Sequence, residues 1–153
     1  MSYSISNLRD QGSFFSAVSD RIWQAWWRED GFSLQAIEQR LAESLESGGV
    51  PLTLIAHQGD CFMGTASLIV SDMDEYPDYT PWVAAVWVDE ACRGRGIGSA
   101  LVTATANEAF RMGIPMVYLC AATGKSAFYE RLGWIPKHED ISGYNVLTLS
   151  SRA

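Results

Sequence analysis

The chain has 153 residues, 48% of them apolar and 19% charged, with a net charge of −7. Residues 1–153 suit a single domain, and the composition excludes a disordered or fibrous protein. No uncharged apolar run approaches the ~18 residues that span a bilayer, and the acidic balance argues against nucleic acid, whose phosphates require clustered Lys and Arg.

The first residues carry neither a basic nor an apolar leader segment, so no secretory signal is expected and the cytoplasm is the expected location. Cys61, Cys92 and Cys120 are odd in number and widely spaced, which reads as reduced structural thiols and no metal site. Charge is unevenly spread: residues 1–80 carry 4 basic and 12 acidic side chains, and residues 81–153 carry 7 and 6. That asymmetry suits an anionic ligand held by one half and a cationic one by the other. It also suits an acidic surface that keeps the protein soluble.

A short apolar segment at residues 3–8 opens the chain. Phe14, Val18, Ile22, Ala25 and Trp26 then recur at helical spacing and predict a helix over 13–27. On it, Trp23, Trp26 and Trp27 are read as core packing rather than as a substrate wall. Ser33 caps a second helix with Leu34, Ile37, Leu41 and Leu45 as its apolar stripe, ended by Gly48-Gly49. Strand signals at 52–57 and 61–70 flank a Gln58-Gly59-Asp60 turn and predict an antiparallel hairpin. An acidic loop over 71–81 leads into residues 82–88, apolar on both faces as a doubly covered central strand must be. A Gly-rich turn, a helix over 96–112, a strand over 116–121, a short helix over 125–132 and strands near 134–141 and 144–149 complete the order. This β-α-α-β-β-β-α-β-α-β-β series is α/β, with helices able to cover both faces of one mixed sheet.

The chemistry concentrates where the central strand, ending Val86-Trp87-Val88, runs through Arg93-Gly94-Arg95-Gly96-Ile97-Gly98-Ser99 into the third helix. The first amides of a helix lack partners and its dipole is positive there, so a Gly-rich turn at that end is an anion site. The glycines let the backbone approach a ligand, and Arg93 and Arg95 add charge where a diphosphate would lie. A dinucleotide fingerprint beginning at Gly96 requires a glycine where Leu101 stands. Gly124-Lys125-Ser126 resembles the end of a P-loop, but residue 119 is Leu and the amide cradle is missing.

Arg93-x-x-Gly96-x-Gly98 after Val86-x-Val88 resembles the acetyl-CoA signature of the GNAT superfamily of N-acetyltransferases. Phe128-Tyr-Glu-Arg-Leu-Gly-Trp134 resembles that family's Tyr-x-x-x-Gly-Phe block, with Trp in place of Phe. The resemblance spans almost the whole chain and implies a GNAT-type domain: a mostly antiparallel mixed sheet, a splayed central strand pair, and helices on both faces. It implies that the amides of residues 93–99 hold a pyrophosphate. It also implies that the backbone of Val86, Trp87 and Val88 pairs with the pantetheine arm, with Val88 donating to an oxyanion. Tyr129 matches the family's general acid. Where many members carry an Asn this chain has Ala122, with Ser126 nearby. The general base stays open among Asp72, Asp74, Glu75, Asp78 and a water relay. The implied reaction moves an acetyl group from acetyl-CoA to a primary amine, small and cationic, by direct attack and without a metal. The alternative is a non-catalytic acyl-CoA binding module on the same fold. A small molecule is thus the expected partner, with no nucleic acid and no membrane, and a homodimer is compatible with the sequence.

Overall fold

The structure is a computed structural model that describes residues 2–152. The strand signals assemble into one seven-stranded sheet from β1 (Ser4–Asn7), β2 (Leu52–Gln58), β3 (Cys61–Ile69), β4 (Trp82–Val88), β5 (Met116–Ala122), β6 (Ile135–Ile141) and β7 (Tyr144–Ser150). The strand order is β1-β2-β3-β4-β5-β7-β6, antiparallel throughout except between β4 and β5. The hairpin of β2 and β3 closes on Gln58 opposite Cys61, with Gly59 supplying the positive φ (+56°) that so tight a turn requires.

Helices α1 (Phe15–Ile22), α2 (Leu34–Glu46), α3 (Ile97–Arg111) and α4 (Ser126–Glu130) cover the sheet. On one face α3 buries Ile97, Leu101, Val102 and Ala106 against Leu54, Leu68, Val83 and Leu119. On the other, Val18 and Ile22 of α1 and Ile37 and Leu41 of α2 enclose Ile55. The 71–81 loop extends that second layer, with Met73 buried against Trp82 and Val146. Both faces of β4 are therefore covered, which is why its sequence does not alternate.

The first helix differs from the expected 13–27. Short 3₁₀ turns at Leu8–Asp10 and Gly12–Phe14 precede α1, and a π-helical turn over Trp23–Trp27 follows it. There the Arg28 N–H reaches back five residues to the Trp23 carbonyl (2.8 Å) and the Phe32 N–H to that of Trp27 (3.2 Å). Such insertions cluster at functional sites. The fourth helix is also shorter than expected, because Gly133 turns the chain at φ +98°. No helix among the described residues is long and apolar enough to cross a membrane.

Two backbone features shape the middle of the sheet. Between Thr65↔Trp87 and Ser67↔Ala84, β3 advances two residues while β4 advances three, so β4 carries a bulge, and Ala85 sits at φ +54°. The extra residue resets the alternation: Val83, Val86 and Val88 all pack toward α3, and Ala85 packs toward α1. Beside it, Gly64 has no room for a side chain, since a Cβ would lie 2.8 Å from the Trp87 carbonyl oxygen and 3.1 Å from Leu101 Cδ1. Gly64→Ala should accordingly destabilise the fold by about 1–3 kcal/mol, the usual cost of overpacking. Denaturant unfolding checks this, and an unchanged midpoint would mean that β3 and β4 can separate there at no cost.

Candidate active site

The central strands β4 and β5 share a single register pair, Trp82↔Tyr118, supported by a Tyr118 N–H bond to the Pro81 carbonyl (3.0 Å). Past that pair they diverge. On its other edge β4 stays bound to β3, and the Asp89 N–H donates to the Met63 carbonyl (2.9 Å). Peptide groups alternate along an antiparallel strand, so those of Trp87 face β3 and those of Val86 and Val88 face the gap. The close approach of the Trp87 carbonyl to Gly64 agrees with this direction.

After β4, a 3₁₀ turn at Glu90–Cys92 leads into the Gly-rich loop. Gly94 (φ +79°) and Gly96 (φ +78°) hold left-handed conformations that favour glycine, and a Cβ on either would meet nothing within 4 Å. They border open space. Gly96 caps α3 without any side-chain bond, and the first return bond is from the Ala100 N–H to the Gly96 carbonyl (3.0 Å). The amides of Ile97, Gly98 and Ser99 thus have no partner within the helix. Gly98 serves differently, for its Cβ position points inward, 3.6 Å from Val88 Cγ2 and 3.9 Å from Phe128 Cζ. Arg93 folds back, donating from Nε to the Val88 carbonyl (2.8 Å), with its guanidinium 4.8 Å from the Trp87 ring centre. Arg95 is exposed and borders a shallow hollow with Ser2, Tyr3 and Met63.

A cavity of about 740 Å³ opens across the gap, bounded by Ala84, Ala85 and Val86 of β4 and Leu119, Cys120 and Ala121 of β5. Tyr129 of α4 lines it. Burial, and then the neighbouring Cys120, push its phenol above the ordinary tyrosine range, so it is protonated at neutral pH. Cys120 donates from Sγ to Asp72 Oδ2 (3.1 Å). Burial first, and then the Asp72 carboxylate, push that thiol far up, so Cys120 is no thiolate nucleophile. Desolvation also raises Asp72, though its bond from Cys120 opposes the shift. Of the four loop carboxylates singled out in the sequence, Asp72, Asp74 and Glu75 line this cavity and Asp78 does not. Ser126 is buried and donates to Glu130 Oε2 (3.1 Å). Among the described residues no group of His, Cys, Asp and Glu is arranged to hold a metal.

Several contributors were invisible in the sequence. Trp23 and Trp27 are half-buried and pack against the α1 and α2 core as expected, whereas Trp26 is 44% exposed, and Trp26 and Trp27 both line the cavity. Helical periodicity put Trp26 on the apolar stripe, but it lies in the π turn and is exposed. Trp26 meets the Trp87 ring edge-on (6.4 Å). Asp89 accepts from Trp87 Nε1 (2.8 Å) and from Arg21 Nε (3.0 Å), joining α1 to the end of β4. Nothing local in the sequence pairs residues 21 and 89.

The sequence profile of the acetyltransferase (GNAT) family matches residues 19–134. No curated protein matches the sequence significantly. Among solved structures, an acetyltransferase from Salmonella typhimurium, described with its cofactor acetyl-CoA, aligns over 100% of this chain and 96% of its own (TM-score 0.77, 16% identity). The PaiA N-acetyltransferase from Thermoplasma acidophilum, in complex with coenzyme A, aligns over 99% and 100% (0.68, 15%). An acyl-CoA N-acyltransferase from Pseudomonas aeruginosa aligns over 97% and 99% (0.69, 16%). These identities establish a shared fold, and the profile match establishes kinship. With its two motif blocks on either side of a splayed strand pair, the chain belongs to the acetyltransferase (GNAT) family.

Proposed function

We propose that the protein transfers the acetyl group of acetyl-CoA to a small primary amine that arrives as its ammonium cation, in the cytoplasm. The observation that carries this reading is the gap between β4 and β5, where the peptide groups of β4 that face away from β3 lead directly to the start of α3, which has no side-chain cap. The loop fits the cofactor: Gly94 and Gly96 leave its surface free of side chains, and the helix amides complement a pyrophosphate. In this reading residues 93–99 hold the pyrophosphate, and Val86 and Val88 hold the pantetheine arm. Acetyl-CoA supplies the activated thioester. Solved structures of the same fold are described with acetyl-CoA or coenzyme A, which supports the choice.

Cavity charge supports a cationic reacting group, since Asp30, Asp72, Asp74 and Glu75 outnumber Arg40 and Lys125. Asp72 is the proposed base, because Cys120 holds it against the gap. It takes a proton from the ammonium group. The amine nitrogen then bonds to the acetyl carbon as the carbon–sulfur bond breaks. The Val88 N–H, aimed into the gap, stabilises charge on the carbonyl oxygen. Tyr129, kept protonated by burial, gives its proton to the departing thiolate. A proton donor and a proton acceptor on one cavity favour catalysis over a passive binding module.

Gly96→Glu should abolish acetyl-CoA binding in calorimetry by placing bulk and negative charge at the α3 start, and wild-type affinity in a folded variant would refute the loop's role. Tyr129→Phe keeps the ring and should lower kcat by about 10²-fold with acetyl-CoA affinity nearly unchanged, as for a contact made mainly in the transition state. A kcat within about twofold of wild type, with chemistry rate-limiting, would leave the tyrosine a packing role alone. Asp72→Asn should lower kcat/KM by about 10²- to 10⁴-fold. It should also stabilise the fold at neutral pH. A carboxyl raised on folding favours the native state below its unfolded pKa, and that advantage is lost as pH rises through the folded value. The gain in Tm over wild type should therefore be largest near pH 7 and shrink toward pH 3.

A further inference from the structure

Two cations line the cavity, Arg40 and Lys125, and Arg40 is the one carried by α2. Arg40, on α2, lines it beside Trp27 of the π turn, with its guanidinium 5.4 Å from the Trp27 ring centre. Glu43 lies one turn on, at a spacing that favours a helix ion pair. Arg40 nonetheless pairs with no carboxylate among the described residues. Its guanidinium lies over the indole at the exposed rim of the cavity, and its forked donors, suited to a carboxylate, are left unclaimed. One turn further along α2, Ser44 is buried with its hydroxyl bonded to the Leu41 carbonyl (2.7 Å). The buried Thr53 and Ser67 hydroxyls pair across β2 and β3 (2.9 Å). Ser44, Thr53 and Ser67 add polar groups to the cavity wall under α2, while Asp72 stands against Cys120 of β5, with Asp74 and Glu75 on the same loop.

We infer that the acceptor is an amino-carboxylate, with its amine at Asp72 and its carboxylate on Arg40. The inference rests on the acetyl-transfer reading and specifies the far end of the substrate. Spacing narrows the class. Through Ile37 and Leu41, α2 packs over Ile55 of β2, whereas the reacting gap lies between β4 and β5. That is two to three strand spacings of about 4.8 Å each. The arginine side chain covers part of this span and the acceptor covers the rest, so the amine lies several bonds from the carboxylate. A γ- or ω-amino acid fits, and so does the side-chain amine of a basic amino acid. Glycine is too short.

Two matched series test this with acetyl-CoA as donor: glycine, β-alanine, 4-aminobutanoate and 6-aminohexanoate against methylamine, ethylamine, propylamine and pentylamine. The expected result is a higher kcat/KM for the longer amino acids than for their alkylamine partners. Arg40→Gln, at an exposed helix position that glutamine suits, should collapse that ratio by about 10- to 100-fold, chiefly through KM, as expected for a lost charge-assisted bond. Arg40→Lys should restore part of it. Alkylamines as the better substrates, or equal losses in both series on Arg40→Gln, would overturn the inference and leave acetyl transfer standing. Turnover of neither series by protein that binds acetyl-CoA would overturn both.

Discussion

Everything at the site depends on how little holds β4 to β5. Parallel strands normally bond along their length, but these two share one register pair, Trp82↔Tyr118, and then part. The Val86 peptide groups and the Val88 N–H thus face a gap with no strand beside them, while Arg93 takes the Val88 carbonyl, and a ligand lying along the gap would meet them as a neighbouring strand does. The aromatic packing of Trp82, Tyr118 and Tyr79 closes the other end and makes the gap one-sided.

The bulge at Ala85 is the companion of that gap. By adding one residue to β4 it sends Val86 and Val88 toward α3 and leaves Ala85 facing α1, so a single strand serves both halves of the cavity. Gly64 allows β3 to follow the bent strand at a distance no side chain would permit. The Trp87–Asp89–Arg21 linkage then ties the helix on the acceptor side to the end of the same strand. Its ion pair is partly solvated, and such pairs add at most about 1 kcal/mol. Positional control of α1 is its larger effect.

Protonation in the cavity follows from burial. Desolvation pushes Tyr129, Cys120 and Asp72 all above their ordinary ranges, while Cys120 holds the orientation of Asp72. A raised carboxyl is a stability cost, and folds carry such costs mostly where chemistry requires them.

Local pattern alone determined the order of elements, the doubly covered β4 and the Gly-rich turn at Gly94 and Gly96. Each is written in a few consecutive residues whose conformational preferences act at short range: positive φ at glycine, helix capping, and the period of apolar side chains. Tertiary structure decided what depends on residues far apart in the chain. It brought Asp72 of the acidic loop to Cys120, 48 residues away. It left Trp26 exposed at the cavity by inserting a π turn that helical periodicity does not anticipate. It set Arg40 on Trp27 at the cavity wall and bent β4 at Ala85, a residue with no local tendency toward positive φ. Burial and side-chain direction are properties of the packed whole, and only the closed sheet with its two helical layers determines them.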